Sequence, residues 1–111
     1  MAEPVTSVKE VFETHIPAKL HAKPDVVQKI NAVYQFNISG PEGGTWSVDC
    51  TQAGGKVQPG AATNVKCTVA ATDADFLNIV NGKLNAQMAF MSGKLKIQGD
   101  MGLAMKLQQI L

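Results

Sequence analysis

A chain of 111 residues is the size of one domain and can bury a single core without disulfide or metal staples. Hydrophobic residues make up 45% of it and charged residues 17%, against roughly 25% charged in an average soluble domain, so it is apolar for its size. The net charge of +1 rests on ten scattered lysines without one arginine, which argues against the basic face and bidentate guanidinium contacts of a nucleic-acid reader.

Val5, Val8, Val11, Phe12, Ile16 and Leu20 recur at steps of three and four, the spacing of one apolar stripe on a helix that Pro17 should kink or break. Pro24, favourable in a first turn, opens a second short helix through Val26, Val27 and Ile30. The period then drops to two. From Asn31 to Ser39, Ala32, Tyr34, Phe36 and Ile38 alternate with Asn31, Gln35, Asn37 and Ser39, broken only by Val33, as in a half-buried strand. Gly40-Pro41-Glu42-Gly43-Gly44 is turn chemistry, after which Trp46, Val48 and Cys50 alternate with Thr45, Ser47, Asp49 and Thr51, predicting a hairpin. Gly54-Gly55 and Pro59-Gly60 bracket a short third strand around Val57, and Val65, Cys67 and Val69 with Asn64, Lys66 and Thr68 mark a fourth.

Thr72 and Asp73 cap a helix carrying Phe76, Leu77, Ile79 and Val80 that stops at Gly82. Asn85 opens another with Met88, Phe90 and Met91, ended by Gly93. A last strand, Lys94 to Gln98, alternates Leu95 and Ile97 with lysines. A final helix from Met101 sets Leu103, Leu107, Ile110 and Leu111 on one side and Met101 and Met105 on another. Each strand has one wet face, and only the helices can cover the apolar one. The reading is a single α+β domain over residues 1–111, built as two layers.

Little here can carry out chemistry. Cys50 and Cys67 stand 17 residues apart without a Cys-x-x-Cys spacing or a nearby histidine, and read as buried, reduced thiols. His15 and His21, six residues apart, do not share a helix face as a metal pair would, and read as solvated. The carboxylates are scattered, and Asp73 with Asp75 is explained as a helix start. Neither Gly40–Gly44 nor Gly54-Gly55 precedes a helix as a phosphate-cradling loop does. No catalytic residue, metal or cofactor is implied, and the chain reads as not an enzyme. Met88, Met91, Met101 and Met105 fall within 18 residues, paired at spacings of three and four so that each pair shares a helix face. Such flexible, polarizable side chains suit a wall that fits varied ligands, and they equally fill ordinary cores.

Gly-Lys-Leu-Asn-Ala-Gln-Met-Ala-Phe-Met-Ser-Gly-Lys-Leu-Lys-Ile-Gln-Gly-Asp-Met-Gly-Leu-Ala-Met-Lys-Leu-Gln, from Gly82 to Gln108, resembles the C-terminal stretch of the sterol carrier protein type two (SCP-2) family. Gly43-Gly44-Thr45-Trp46-Ser47-Val48-Asp49 and Asp73-Ala74-Asp75-Phe76 also match its pattern, and the resemblance covers about Val8 to Leu111. It implies a five-stranded, mostly antiparallel sheet with about five helices on one face enclosing a hydrophobic tunnel. It further implies an intracellular, nonspecific carrier of sterols, fatty acids or fatty acyl-CoA, which moves them between membranes or to enzymes; transient contact with membrane surfaces and a monomeric state are expected besides.

Carried over by position, the tunnel wall would draw on Phe12, Ile16, Phe36, Trp46, Phe76, Met88, Phe90, Met91, Met101, Leu103 and Met105. The last helix, hinged at Gly99 and Gly102, would gate it, and Lys94 or Lys106 would stand near the mouth or on a solvated face. No apolar run approaches the ~18 residues of a spanning helix, and Met1-Ala2-Glu3-Pro4 is unlike a secretory signal, so a cytoplasmic location is expected. The ending Gln109-Ile110-Leu111 departs from the Ser-Lys-Leu type of peroxisomal signal. Two other readings stay open: a substrate-presenting domain of a larger peroxisomal multifunctional enzyme, and a protein-interaction module with a vestigial cavity.

Overall fold

The computed structural model describes residues 6–41, 43–52 and 54–111. The expected helix start at Val5, the stretch Met1 to Pro4 and Glu42 of the turn lie outside the described residues.

The Ser7 hydroxyl accepts the Glu10 N–H at 3.2 Å and opens α1 (Val8–Glu10), which runs through a π turn (Val11–His15) into α2 (Ile16–Ala22). The helix therefore continues through Pro17. A proline ring collides with the carbonyl four residues back and offers that carbonyl no N–H. The π turn just before it widens the coil, the Ile16 N–H reaching the Val11 carbonyl five residues back. Val8, Val11, Phe12, Ile16 and Leu20 all face inward, each 1% exposed or less. The next helix, α3 (Pro24–Ile30), starts at the expected proline. Asn31, expected in a strand, ends it with φ 42°, a left-handed conformation that asparagine tolerates.

Five strands, β1 (Val33–Ser39), β2 (Gly44–Asp49), β3 (Lys56–Pro59), β4 (Val65–Thr72) and β5 (Leu95–Gly99), form one sheet in the order β3-β2-β1-β4-β5. Three pairings are antiparallel, and β1 and β4 run parallel at the centre, with Phe36 beside Val69. The register slips at Val33 and Tyr34, which pair with Val65 and Cys67, so Lys66 bulges. Its carbonyl accepts the Asp100 N–H at 2.9 Å. Tyr34, Phe36, Val48, Cys50, Cys67, Val69 and Leu95 are buried on one face, while Asn37, Thr45, Lys66 and Lys96 of the other are exposed.

Side-chain caps set the later helices. The Thr72 hydroxyl accepts the Asp75 N–H at α4 (Asp73–Val80), and the Asn85 amide oxygen accepts from Gln87 and Met88 at α5 (Ala86–Met91). The Asp100 carboxylate accepts from Gly102 and Leu103 at α6 (Met101–Lys106), which tightens into a 3-10 turn at Leu107–Gln109. With the continuous first helix and α3, five helical units cover the sheet's apolar face. At the centre of this layer Phe12 is sandwiched between Trp46 and Phe76, with ring centroids at 5.0 and 5.4 Å and planes within 6°, while Phe36 meets it edge-on at 5.2 Å. Among the described residues, no helix is long and apolar enough to cross a membrane.

Candidate functional site

Away from this packed centre, α5, the edge strand β5 and α6 enclose a cavity of about 360 Å³. Its volume follows from the local sequence. Each of the two helices is six residues long and buries one residue, Ala89 in α5 and Leu103 in α6. The wall positions Ala86 and Ala104 carry small side chains, so a gap opens above Leu95 and Ile97 of β5. Phe90, Met91, Met101, Met105 and Leu107 complete the apolar lining, and Gln87 is its one polar residue. The mouth is wet, for Met91 and Met105 are 79% and 80% exposed.

The helix on the far side of the cavity is anchored. The Tyr34 hydroxyl, in the core, donates to the Leu103 carbonyl at 2.6 Å, while the Leu107 N–H turns to Ala104. Burial pushes the Tyr34 phenol far above its usual pKa. Leu107 and Ile110 are buried, and Lys23 donates to the Gln109 carbonyl at 3.0 Å. The His15 Nε2 lies 2.6 Å from the Leu111 carbonyl; an acceptor there requires that this nitrogen carry the proton. His15, expected to be solvated, is half-buried, and His21 is exposed. At Gly99, expected to be a hinge, φ is 105° and a side chain would come within 2.3 Å of the Lys66 carbonyl, so the close approach of β4 requires glycine there. The expected gate is thus tied to the body of the domain by Tyr34, His15 and Lys23.

Of the wall expected from sequence, the structure brings Phe90, Met91, Met101 and Met105 together at the cavity. Phe12, Ile16, Phe36 and Phe76 are instead fully buried core, Trp46 stacks on Phe12, and none of these lines the cavity. Leu103 is the buried residue of α6, and Met88 is 67% exposed and outside the lining. Ala86, Gln87, Leu95, Ile97, Ala104 and Leu107 were not anticipated. The available signal was the small residues: Ala86 lies one turn before Phe90, and Ala104 sits between Met101 and Met105.

Among the described residues, those that line this space carry no thiol, hydroxyl, imidazole or charged group. Burial pushes the Cys50 and Cys67 thiols up to about 11, which keeps both protonated and poorly nucleophilic. Among the described residues, no group of three or more His, Cys, Asp or Glu stands close enough to hold a metal ion. A second, smaller cleft of about 230 Å³ lies at the ends of β1, β2 and β4 between Asp49, Thr51, Asn64 and Lys66. The Thr51 hydroxyl and N–H both donate to the Asp49 carboxylate and hold its pKa below the usual value.

Residues 12–111 match the model of the SCP-2 sterol transfer family. The chain is 39% identical over 118 residues to sterol carrier protein 2 of Homo sapiens, covering 98% of this chain and 22% of that protein. It is 46% identical over 104 residues to hydroxysteroid dehydrogenase-like protein 2 of Mus musculus, covering 91% of this chain and 21% of that protein. The chain thus spans about a fifth of the length of these curated relatives. Its fold is similar to the solution NMR structure of palmitated SCP2L2 from Aedes aegypti, with a TM-score of 0.77 and 33% identity over 95% of this chain and 94% of that one.

Proposed function

The chain belongs to the SCP-2 sterol transfer family, and from that membership we propose that its lipid-transfer domain carries one lipid at a time in the cavity between α5, β5 and α6. The observation that carries this reading is the lining: nine of its ten residues are apolar, around about 360 Å³ open to solvent. Pockets for small molecules run from about 300 to 1,000 Å³, so the space suits an acyl chain. The relative from Aedes aegypti described as palmitated supports the same class of ligand.

Affinity then comes from burial. A chain of about sixteen carbons, at ~0.8 kcal/mol per CH₂, supplies on the order of 10 kcal/mol against association costs of about 4 to 15. Apolar burial is non-directional, so fatty acids, acyl-CoA esters and sterols compete for one site with little discrimination. The flexible thioethers of Met91, Met101 and Met105 adapt the wall to each, and the polar end stays at the mouth near Gln87. The domain performs no chemistry on its cargo and works inside the cell as a monomer.

A second reading has its own support in the match to hydroxysteroid dehydrogenase-like protein 2, of which this domain covers about a fifth. In such a setting the same cavity would present lipid to a fused enzyme.

Native mass spectrometry with organic extraction, followed by titration of a fluorescent fatty acid, tests the proposal. Carried lipid that is displaced by the probe at one-to-one stoichiometry is expected. Ala104→Trp, which puts an indole into the cavity, should weaken the probe more than tenfold while the far-UV circular dichroism stays native. An empty protein that also refuses the probe would refute the carrier reading.

A further inference from the structure

We propose that the methionines at the cavity mouth, Met91 and Met105 first among them, are a site of reversible modification by peroxides, and that their conversion to sulfoxides loosens the hold on lipid; the second step rests on the carrier reading. Five large apolar side chains are exposed among the described residues, and four of them are methionines: Met105 at 80%, Met91 at 79%, Met88 at 67% and Met101 at 48%. Three of these, Met91, Met101 and Met105, line the cavity. Leucine would fill a similar volume; methionine adds flexibility and, at a wet mouth, an oxidisable sulfur within reach of solvent. The other sulfurs are out of reach. Cys50 and Cys67 are buried in the core, and burial pushes both thiols up to about 11. An oxidant that needs an accessible thiolate finds none at neutral pH, whereas a thioether needs no deprotonation and has only to be reached. The fold thus hides its thiols and gathers its thioethers around one opening.

The reaction is an oxygen transfer. A lone pair of the methionine sulfur attacks one oxygen of hydrogen peroxide and the O–O bond breaks. The other oxygen leaves as hydroxide and takes the proton of the transferred hydroxyl, so the sulfur is oxidised to a sulfoxide and the peroxide is reduced to water. A sulfoxide turns a flexible apolar side chain into a polar one with an acceptor oxygen. In the empty protein that oxygen stays in water, so the fold is untouched. When a lipid fills the cavity, sulfoxides of the lining give up water for methylenes, and Gln87 is the only polar lining residue that could partner them. Burying a polar group without a partner weakens binding on the order of tenfold for each group so buried. Reductases return methionine sulfoxide to methionine, so the change is reversible.

Brief treatment of the whole chain with hydrogen peroxide tests this. Peptide mass spectrometry should find sulfoxide at Met105, Met91 and Met88 before Met101, with Cys50 and Cys67 unchanged. Fluorescent fatty acid binding should weaken by about tenfold or more while the urea midpoint holds, and methionine sulfoxide reductases acting on both epimers should restore it. Met88→Leu removes an exposed thioether outside the lining, so this variant should bind the probe as the wild type does and lose affinity to peroxide as the wild type does. The double variant Met91→Leu, Met105→Leu is compared with itself before and after peroxide: whatever its starting affinity, treatment should leave it nearly unchanged. Oxidation of the thiols ahead of the thioethers, or of Met101 ahead of Met91 and Met105, would overturn the proposal. So would full conversion at the mouth with undiminished probe binding, or a loss of affinity that the double variant shares. An untreated protein that refuses the probe would sink the carrier reading, and the peroxide site would then stand or fall on the order of oxidation alone.

Discussion

Replacing Tyr34 by phenylalanine removes one hydroxyl and leaves the ring, with its contact to Phe36 at 6.2 Å, in place. The lost group is the donor to the Leu103 carbonyl at 2.6 Å in the core, where the Leu107 N–H bonds the Ala104 carbonyl. Losing a buried hydrogen bond from one side costs about 1 to 3 kcal/mol. For a domain near 100 residues each kcal/mol lowers the melting temperature by roughly 4 to 8 °C, so a fall of at least about 4 °C is expected. Urea unfolding can be followed through Trp46, the chain's single tryptophan, whose stacking on Phe12 breaks on unfolding. The midpoint should drop with an unchanged slope, and hydrogen exchange should accelerate from Leu103 to Leu107. A midpoint within about 0.5 kcal/mol of the wild type, with the same exchange pattern, would mean that the hydroxyl does not anchor α6.

Phe12→Ala removes the ring that both Trp46 and Phe76 stack upon, and should cost about 3 to 5 kcal/mol in thermal or urea unfolding, enough to threaten folding altogether. Alkaline pH should also destabilise the fold. The Cys50 and Cys67 thiols are raised from 9.0 to about 11, and the Tyr34 phenol from 10.0. The unfolded chain releases the thiol protons from about pH 9 while the folded chain holds them to about pH 11, so stability falls across that window by up to about 1.4 kcal/mol per pH unit for each thiol. Urea midpoints measured from pH 8 to 11 should decline, and replacing both cysteines with valine should flatten the decline until the phenol titrates.

The periods of three to four and of two in the sequence placed helices and strands, because a half-buried element must repeat its apolar residues at its own pitch. Caps and glycines then set ends: Thr72, Asn85 and Asp100 each accept N–H groups at the helix they were expected near or preceded, and Gly82 and Gly93 follow helices at positive φ. The resemblance from Gly82 to Gln108 carried the family, on which the proposed function rests. Local pattern could not fix that β4 would lie parallel to β1, since pairing partners are chosen by the crossover and by the layer the helices must cover. Nor could it show that Pro17 is absorbed by a π turn, which depends on keeping Val8 through Leu20 against the sheet.

The site was legible only in part, and for a physical reason. An apolar side chain looks the same in sequence whether its neighbours touch it on every side or leave a gap. Phe12 meets Trp46, Phe36 and Phe76 and becomes core, while Met91 and Met105 face a space left by Ala86 and Ala104. Whether burial ends in contact or in a cavity is decided by how far apart short helices hold their backbones, and only the tertiary structure sets that distance.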